Sequence, residues 1–240
     1  GNQSGVIMAM LKSVRGERIE DGVGSLEISA RGAFIAKVYN YLFGAVALMV
    51  LTGFVAYRQI ALESISRGFF WGLFAASMGV LIIGMFTSRT KGLNLVLFGI
   101  YALLEGVFLG VLAKMYVAAG LGSIFAQAAV LSLLVFGGLT AFVHVTKKDF
   151  SFLGGFLFVM LLLLIGAGIL RFFVDSPMLH LAVAAGGTAV FALYILFDTS
   201  QVIHRIHEDE AVSAAWMLFI DLIGLFLYLL DLLTILSGRD

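Results

Sequence analysis

The sequence has no cysteine, a single proline and little charge. Without cysteine there is neither a disulfide nor a thiolate metal site, and thiols say nothing about the redox compartment. The one proline, Pro177, falls in the loop ahead of the sixth apolar segment, so no span carries a proline kink. Charged residues make up 12% of the chain, against about 25% in an average globular protein, and the formal net charge is zero. No basic face is available for nucleic acid. What remains is apolar: 61% of residues are hydrophobic and the mean hydropathy is +1.07. A soluble core cannot absorb that much apolar surface, so the chain reads as an integral membrane protein whose first partner is the lipid bilayer.

Seven apolar segments, with approximate limits 35–57, 69–87, 93–113, 122–145, 151–173, 179–203 and 212–236, each approach the roughly 20 residues that a bilayer requires. None alternates with period two, and open strand edges do not survive in lipid, so all are expected to be helices. Short connections make sequential helices antiparallel neighbours. The expected fold is an all-α, seven-transmembrane-helix bundle occupying residues 34–240 with no second domain, preceded by a polar, mostly mobile cytoplasmic tail over 1–33 that holds at most a short surface helix. Of the 15 Lys and Arg residues, ten fall on the tail side (Lys12, Arg15, Arg18, Arg31, Lys37, Arg89, Lys91, Lys147, Lys148, Arg205). The excess predicts a cytoplasmic N-terminus and an external C-terminus. Small residues such as Gly106 and Gly110 suggest close helix packing, and Gly224 would leave room for a tyrosine or carboxylate from a neighbour. Trp71, Trp216 and Tyr57 lie near span ends and read as interface anchors.

Against this background the buried charges stand out. Asp198 and Asp221 sit well inside the last two segments, on either side of the charged loop 204–210. Two antiparallel helices would place them at similar depth. A carboxylate inside a span costs about 2.5–3.5 kcal/mol even on the lenient insertion scale, so a matched pair suggests function. Two touching carboxylates in low dielectric cannot both ionise cheaply; near neutral pH they would share one proton. Losing it would set the sixth and seventh helices against each other and leave a divalent-cation site. Ca²⁺ takes six to eight oxygens and two Asp supply at most four, so any such site binds weakly, and no other cofactor is expected. A purely structural carboxyl–carboxylate hydrogen bond is the alternative. Asn94, Tyr101 and Glu105 share one face of the third segment and could line a water path or simply make a helix–helix hydrogen bond. Asp221, Gly224, Tyr228 and Asp231 form one stripe of the seventh, and Asp231 either continues an ion path outward or reaches the interface. His144, His204 and His207 lack a defensible metal-binding spacing and fit, at most, weak pH modulation.

The motifs YNYL (Tyr39–Leu42), YALLEGVFLG (Tyr101–Gly110), FDTSQVI (Phe197–Ile203) and LFIDLIGLFLYLL (Leu218–Leu230), in that order, resemble the transmembrane Bax inhibitor motif family, the Bax inhibitor-1-like proteins. The resemblance covers roughly residues 30–237. It implies seven helices with the C-terminal one central and wrapped by the other six, and a pH-sensitive calcium leak governed by aspartates that fall on Asp198 and Asp221. The family's locking arginine on the second helix falls, by position, on Arg89, a permanent cation able to compensate one Asp in a closed state. The basic C-terminal tail of animal and plant members does not follow Asp240, so a bacterial member in the inner membrane is expected.

Three function classes follow. A Ca²⁺ leak channel would use calcium ions and protons at the pair. A regulatory protein would bind a membrane partner, such as a membrane-anchored ATP-dependent protease, through its tail. An intramembrane aspartyl protease would need GxGD, but Asp221 follows LFI and Asp198 follows ILF; no GxSG run is present either, so the protein is not expected to be an enzyme.

Overall fold

In the computed structural model, which describes residues 3–87, 92–204, 206 and 210–238, the chain is an all-α bundle. The helices are α1 (Gln3–Gln59), α2 (Arg67–Thr87), α3 (Leu93–Ala118), α4 (Gly122–Thr146), α5 (Gly154–Leu170), α6 (Pro177–His204) and α7 (Ala211–Leu236). Seven stretches are long and apolar enough to cross a membrane, one at each helix; in α1 it is Ala30–Gln59, and at α5 it is Ser151–Leu170, which takes in the 3-10 turn Ser151–Leu153 ahead of the helix. The expected spans and the helices agree to within a few residues at most ends. The main difference lies at the start. α1 runs without a break from Gln3, through the boundary placed at residue 33. No proline interrupts residues 3–33, so nothing in the backbone forces the helix to stop. A second difference concerns Pro177, which is the first residue of α6 rather than part of the preceding loop. Its fixed φ and missing N–H suit a first helical turn, where the N–H has no intrahelical partner anyway.

Long-range contacts fix the alternation of direction. Asn94 at the start of α3 donates from Nδ2 to Ser213 Oγ at the start of α7 (2.9 Å). Arg31 reaches the end of α6. At the opposite face Tyr116 and Thr234, near the ends of α3 and α7, pair their hydroxyls at 3.1 Å. The face holding Ala30 and Ala211 is called the near side below, and that holding Gln59 and Leu236 the far side.

α7 is the central helix. It is the most enclosed of the seven spans and packs against α1, α3, α4 and α6, while α2 rests mainly on α3 and α5 on α6. Its apolar residues Leu218, Phe219 and Leu225 are fully buried and join Phe34, Val38, Leu42, Phe98, Ile195 and Val202 in the main core. Trp216 is not an interface anchor. It is 5% exposed, stacks on Phe98 with ring centroids 5.4 Å apart and lies 5.7 Å from Tyr101. A position near a helix end means the interface only for a peripheral helix; around α7 the neighbours enclose the end as well. Gly84 of α2 leaves the space that the Trp216 ring fills, since a Cβ there would lie 2.2 Å from it. Trp71 is exposed, as an anchor should be.

Glycines bring α6 and α7 together reciprocally. The Tyr228 ring occupies the space over Gly187, and the Phe191 ring that over Gly224, with the two rings stacked at 5.6 Å. The neighbour accommodated by Gly224 is thus an aromatic hydrocarbon rather than a tyrosine or a carboxylate. α1 and α3 approach most closely at Gly53, Gly106 and Gly110, where backbone meets backbone.

Candidate functional site

The sequence FDTSQ on α6 commits each polar residue to a different neighbour. Asp198 points at α7, where its carboxyl lies against that of Asp221. The Thr199 hydroxyl faces that of Tyr39 on α1; both oxygens are buried, and the two do not close to hydrogen-bond geometry. Ser200 accepts from the Phe150 backbone N–H at 2.8 Å and donates to Asp149 Oδ1 at 3.4 Å, which ties the α4–α5 connection to α6. One helical turn therefore serves three directions, because successive residues point about 100° apart.

The Asp pair is enclosed. Asp198 is 7% exposed and Asp221 4%, so neither carboxyl is open to solvent in this state. Asp221 Oδ2 is buried with no donor facing it. Two bare carboxylates contain no proton to place between them; one proton on the pair supplies the missing donor and cancels half of the buried charge. The geometry therefore suits a carboxylic acid–carboxylate pair. The Tyr194 side chain on α6 stands near both carboxyls.

Glu105 is the third buried carboxyl, 7% exposed, on α3 one turn after Tyr101 and near Ser77 of α2. It opens on a cavity of about 530 Å³ between α2, α3, α5, α6 and α7, whose wall includes Ser77, Tyr101, Gly224 and Tyr228. The structure thus gathers Tyr101, Glu105 and Tyr228 around one space, whose wall includes Ile220 and Gly224 of α7 but neither Asp198 nor Asp221. It does not bring Asn94 there, because that side chain turns to Ser213 at the near side. Asp231 lies beyond the cavity towards the far side, held by Arg171 with Nη1–Oδ2 at 2.6 Å and Nη2–Oδ1 at 3.3 Å; His180 Nδ1 is 3.2 Å from the same guanidinium. Among the described residues no group of three or more His, Asp or Glu could hold a metal ion. His144 and His204 each bond a carbonyl of their own helix through Nδ1, from Thr140 and Ser200. Arg89 and His207 lie outside the described residues.

Arg31 is a residue whose role the sequence did not reveal, where it counts only as one more tail-side charge. Its guanidinium donates to the carbonyls of Val202 (2.6 Å), Ile203 (2.9 Å) and Ile206 (2.7 Å), and its Cζ lies 5.0 Å over the Phe34 ring. The carbonyls of Val202 and Ile203 lie in the last turn of α6 and that of Ile206 just past it, where intrahelical N–H donors run out and a cation complements the helix dipole. Val202 is one turn beyond Asp198, so Arg31 clamps the end of the helix that carries the pair. Arg31→Gln should keep one donor and lose the fork, lowering stability by about 1–2 kcal/mol, the usual worth of charge-assisted bonds at a helix end. Hydrogen exchange at the Ile206 amide, which bonds Gln201 O at 3.0 Å, should speed up while amides in the middle of α7 stay unchanged. Equal protection at Ile206 in both proteins would mean that the clamp holds nothing.

Comparison with known proteins agrees with the motif order. The profile of the family described as "Inhibitor of apoptosis-promoting Bax1" matches residues 31–238. The chain is 36% identical over 216 residues to "Bax inhibitor 1" of Schizosaccharomyces pombe, covering 88% of this chain and 80% of that one. It is 36% identical over 212 residues to an uncharacterized protein of Campylobacter jejuni (86% and 90% covered) and 33% identical over 222 residues to "Protein lifeguard 4" of Mus musculus (90% and 91% covered).

Proposed function

Because the chain belongs to the Bax inhibitor-1 family, a family of multi-pass membrane proteins, we propose that it is a pH-sensitive calcium leak channel gated by the Asp198–Asp221 pair between α6 and α7. The observation that carries this reading is the enclosed contact of those two carboxyls on the most buried helix of a lipid-spanning bundle. Protons and Ca²⁺ then compete for one site. With the shared proton in place the pair is a compact hydrogen bond and the helices stay together. Without it the two carboxylates repel, and a divalent cation with its water and backbone oxygens is the counter-charge that fits. The cavity beside Glu105, Tyr101 and Tyr228 is the adjoining segment of the path in this reading, and Asp231 with Arg171 stands at its far end. Arg89 is proposed as the cation that offsets the ionised pair in the closed state, so Arg89→Ala should favour the open form. The proposed setting is the bacterial inner membrane with the near side cytoplasmic; a reporter fused after Asp240 should be active only outside the cytoplasm.

The test is Ca²⁺ entry into dye-loaded proteoliposomes across about pH 6 to 8, because two touching carboxyls in low dielectric hold one proton between them more tightly than free carboxyls do. The expected result is flux that varies across this range, together with Ca²⁺ binding that strengthens as pH rises, because a protonated pair cannot ligate. Flux no greater than in empty liposomes at every pH would shift the reading to regulation through a membrane partner. That reading is supported by the names of relatives such as Bax inhibitor 1 and would be pursued by crosslinking in native membranes.

A further inference from the structure

On the opposite flank of α7 from the cavity of Glu105 lies a groove of about 330 Å³, bounded by Val46, Gly53 and Tyr57 on α1, Ala113 on α3, Ala129 on α4 and Phe226 on α7. α1 and α4 meet near the near side, where the Tyr39 and His144 rings are 5.4 Å apart, and scarcely touch elsewhere, so the groove opens between them to the membrane. Its wall is hydrocarbon apart from Ser132, whose hydroxyl is already spent on Ala129 O at 3.0 Å, and the Tyr57 ring at one end. No polar atom there calls for water. From Val46 to Tyr57 the α1 wall is 11 residues long, about 16 Å at 1.5 Å per residue, close to half of a hydrocarbon core about 30 Å thick. The groove therefore spans one leaflet, from the bilayer midplane to the far side.

Two cations cap that end. Arg58 is exposed, with Cζ 5.5 Å over the Phe54 ring; Lys114 lies with Nζ 5.9 Å over the Tyr57 ring and donates to Ile60 O. Among the described residues neither has a carboxylate partner. An apolar slot one leaflet long, ending in two unpaired cations at headgroup depth, matches one molecule in shape and charge. We propose that this groove is a specific site for an anionic glycerophospholipid of the far-side leaflet, with an acyl chain along α1 and α4 and the headgroup phosphate between Arg58 and Lys114. The pairing of phosphate with both a guanidinium and an ammonium would fix the depth of the lipid. The site is separate from the Asp pair and stands whether or not the channel reading does.

The experiment is native mass spectrometry of the full chain in detergent, titrated with phosphatidylglycerol, phosphatidylcholine or diacylglycerol. Wild type should retain one phosphatidylglycerol more tightly than any further copy, and should prefer it to diacylglycerol. Arg58→Gln with Lys114→Gln keeps the hydrogen-bond donors and removes both charges; it should weaken that first site about thirtyfold, since each cation near the membrane surface contributes about a factor of five. Ala113→Leu should block the slot and lower the affinity for all three lipids alike, with the α-helical spectrum and elution volume unchanged as the check on folding. Should Ala113→Leu fail to fold, the charge pair, which lies outside the core, decides alone. A first phosphatidylglycerol bound equally by wild type and the double Gln variant, or no preference over diacylglycerol, would overturn the proposal.

Discussion

Asp198→Asn combined with Asp221→Asn is expected to abolish the pH dependence of Ca²⁺ flux and to remove Ca²⁺ binding at the pair, and neither single change should give half of that effect. The reason lies in the contact itself. The two carboxyls lie against each other, and both are almost fully enclosed. In either single variant an asparagine amide can donate to the remaining carboxylate, so the surviving Asp no longer needs a proton to make that bond. The shared proton is lost, and with it the transition that it controls. One anionic oxygen pair remains, so Ca²⁺ should bind at least about tenfold more weakly, a change of about 1.4 kcal/mol, but should not vanish. The double variant has no charge, no exchangeable proton and no ligand beyond two amides. Its flux should be flat with pH, whether high or low. Because the two residues act as one unit, the single effects should sum to clearly more or less than the double effect. Flux and binding curves from proteoliposomes of the four proteins give the comparison, and additive single effects would separate the residues into independent sites.

The second large effect concerns the scaffold. Gly110→Leu should break the α1–α3 pairing outright. A Cβ at Gly110 would stand 2.1 Å from Gly53 O and 2.8 Å from its carbonyl carbon, both backbone atoms with no rotamer to escape into. The helices must separate by more than an ångström or tilt, which opens the interface that Gly106 also needs, where a Cβ would meet Thr52 Oγ1 and Met49 O. Overpacking costs typically 1–3 kcal/mol where side chains can yield; here they cannot, so a loss of more than about 3 kcal/mol is expected. Thermal unfolding in detergent should show it as a large fall in midpoint or as failure to purify. Gly137→Ala is the control. Nothing lies within 4 Å of its added Cβ, and alanine is the better helix former by up to about 1 kcal/mol, so the midpoint should hold or rise. A Gly110→Leu protein with wild-type stability would show that α1 is not docked on α3 as described.

What could be read from the sequence divides along physical lines. The spans were legible because a bilayer sets a length and demands apolar residues throughout it, a signal carried by composition alone. The Asp pair was legible because a carboxylate in a span is costly enough to be noticed twice at matching positions. Trp216 was misread as an anchor because hydropathy does not distinguish a helix end in the core from one at the interface; only its stacking on Phe98 and its contact with Tyr101 do. Arg31 was invisible for the same reason. A tail-side arginine satisfies a topology rule wherever it points, and its target carbonyls are 171–175 residues away along the chain. Gly224 was correctly singled out as a clearance, but the ring that uses it belongs to Phe191, a contact set by the register between α6 and α7. Residues 1–33 were read as a mostly mobile tail because they are polar and lack the apolar run of a span, but polarity alone does not end a helix, and without a proline there α1 extends back to Gln3.

The central claim, that one proton is shared by Asp198 and Asp221 and yields its place to Ca²⁺, is tested most directly by infrared difference spectroscopy of the protein in lipid. A protonated carboxyl has a C=O stretch apart from those of ionised carboxylates. The band should contain a component that is present in acid, is lost as pH rises, and is lost at lower pH when Ca²⁺ is added; that Ca²⁺-responsive component should be absent from the Asp198→Asn, Asp221→Asn double variant, whose remaining band belongs to Glu105 and the other carboxyls. A Ca²⁺-responsive component that persists in the double variant, or a wild-type band that responds to neither pH nor Ca²⁺, would contradict the account.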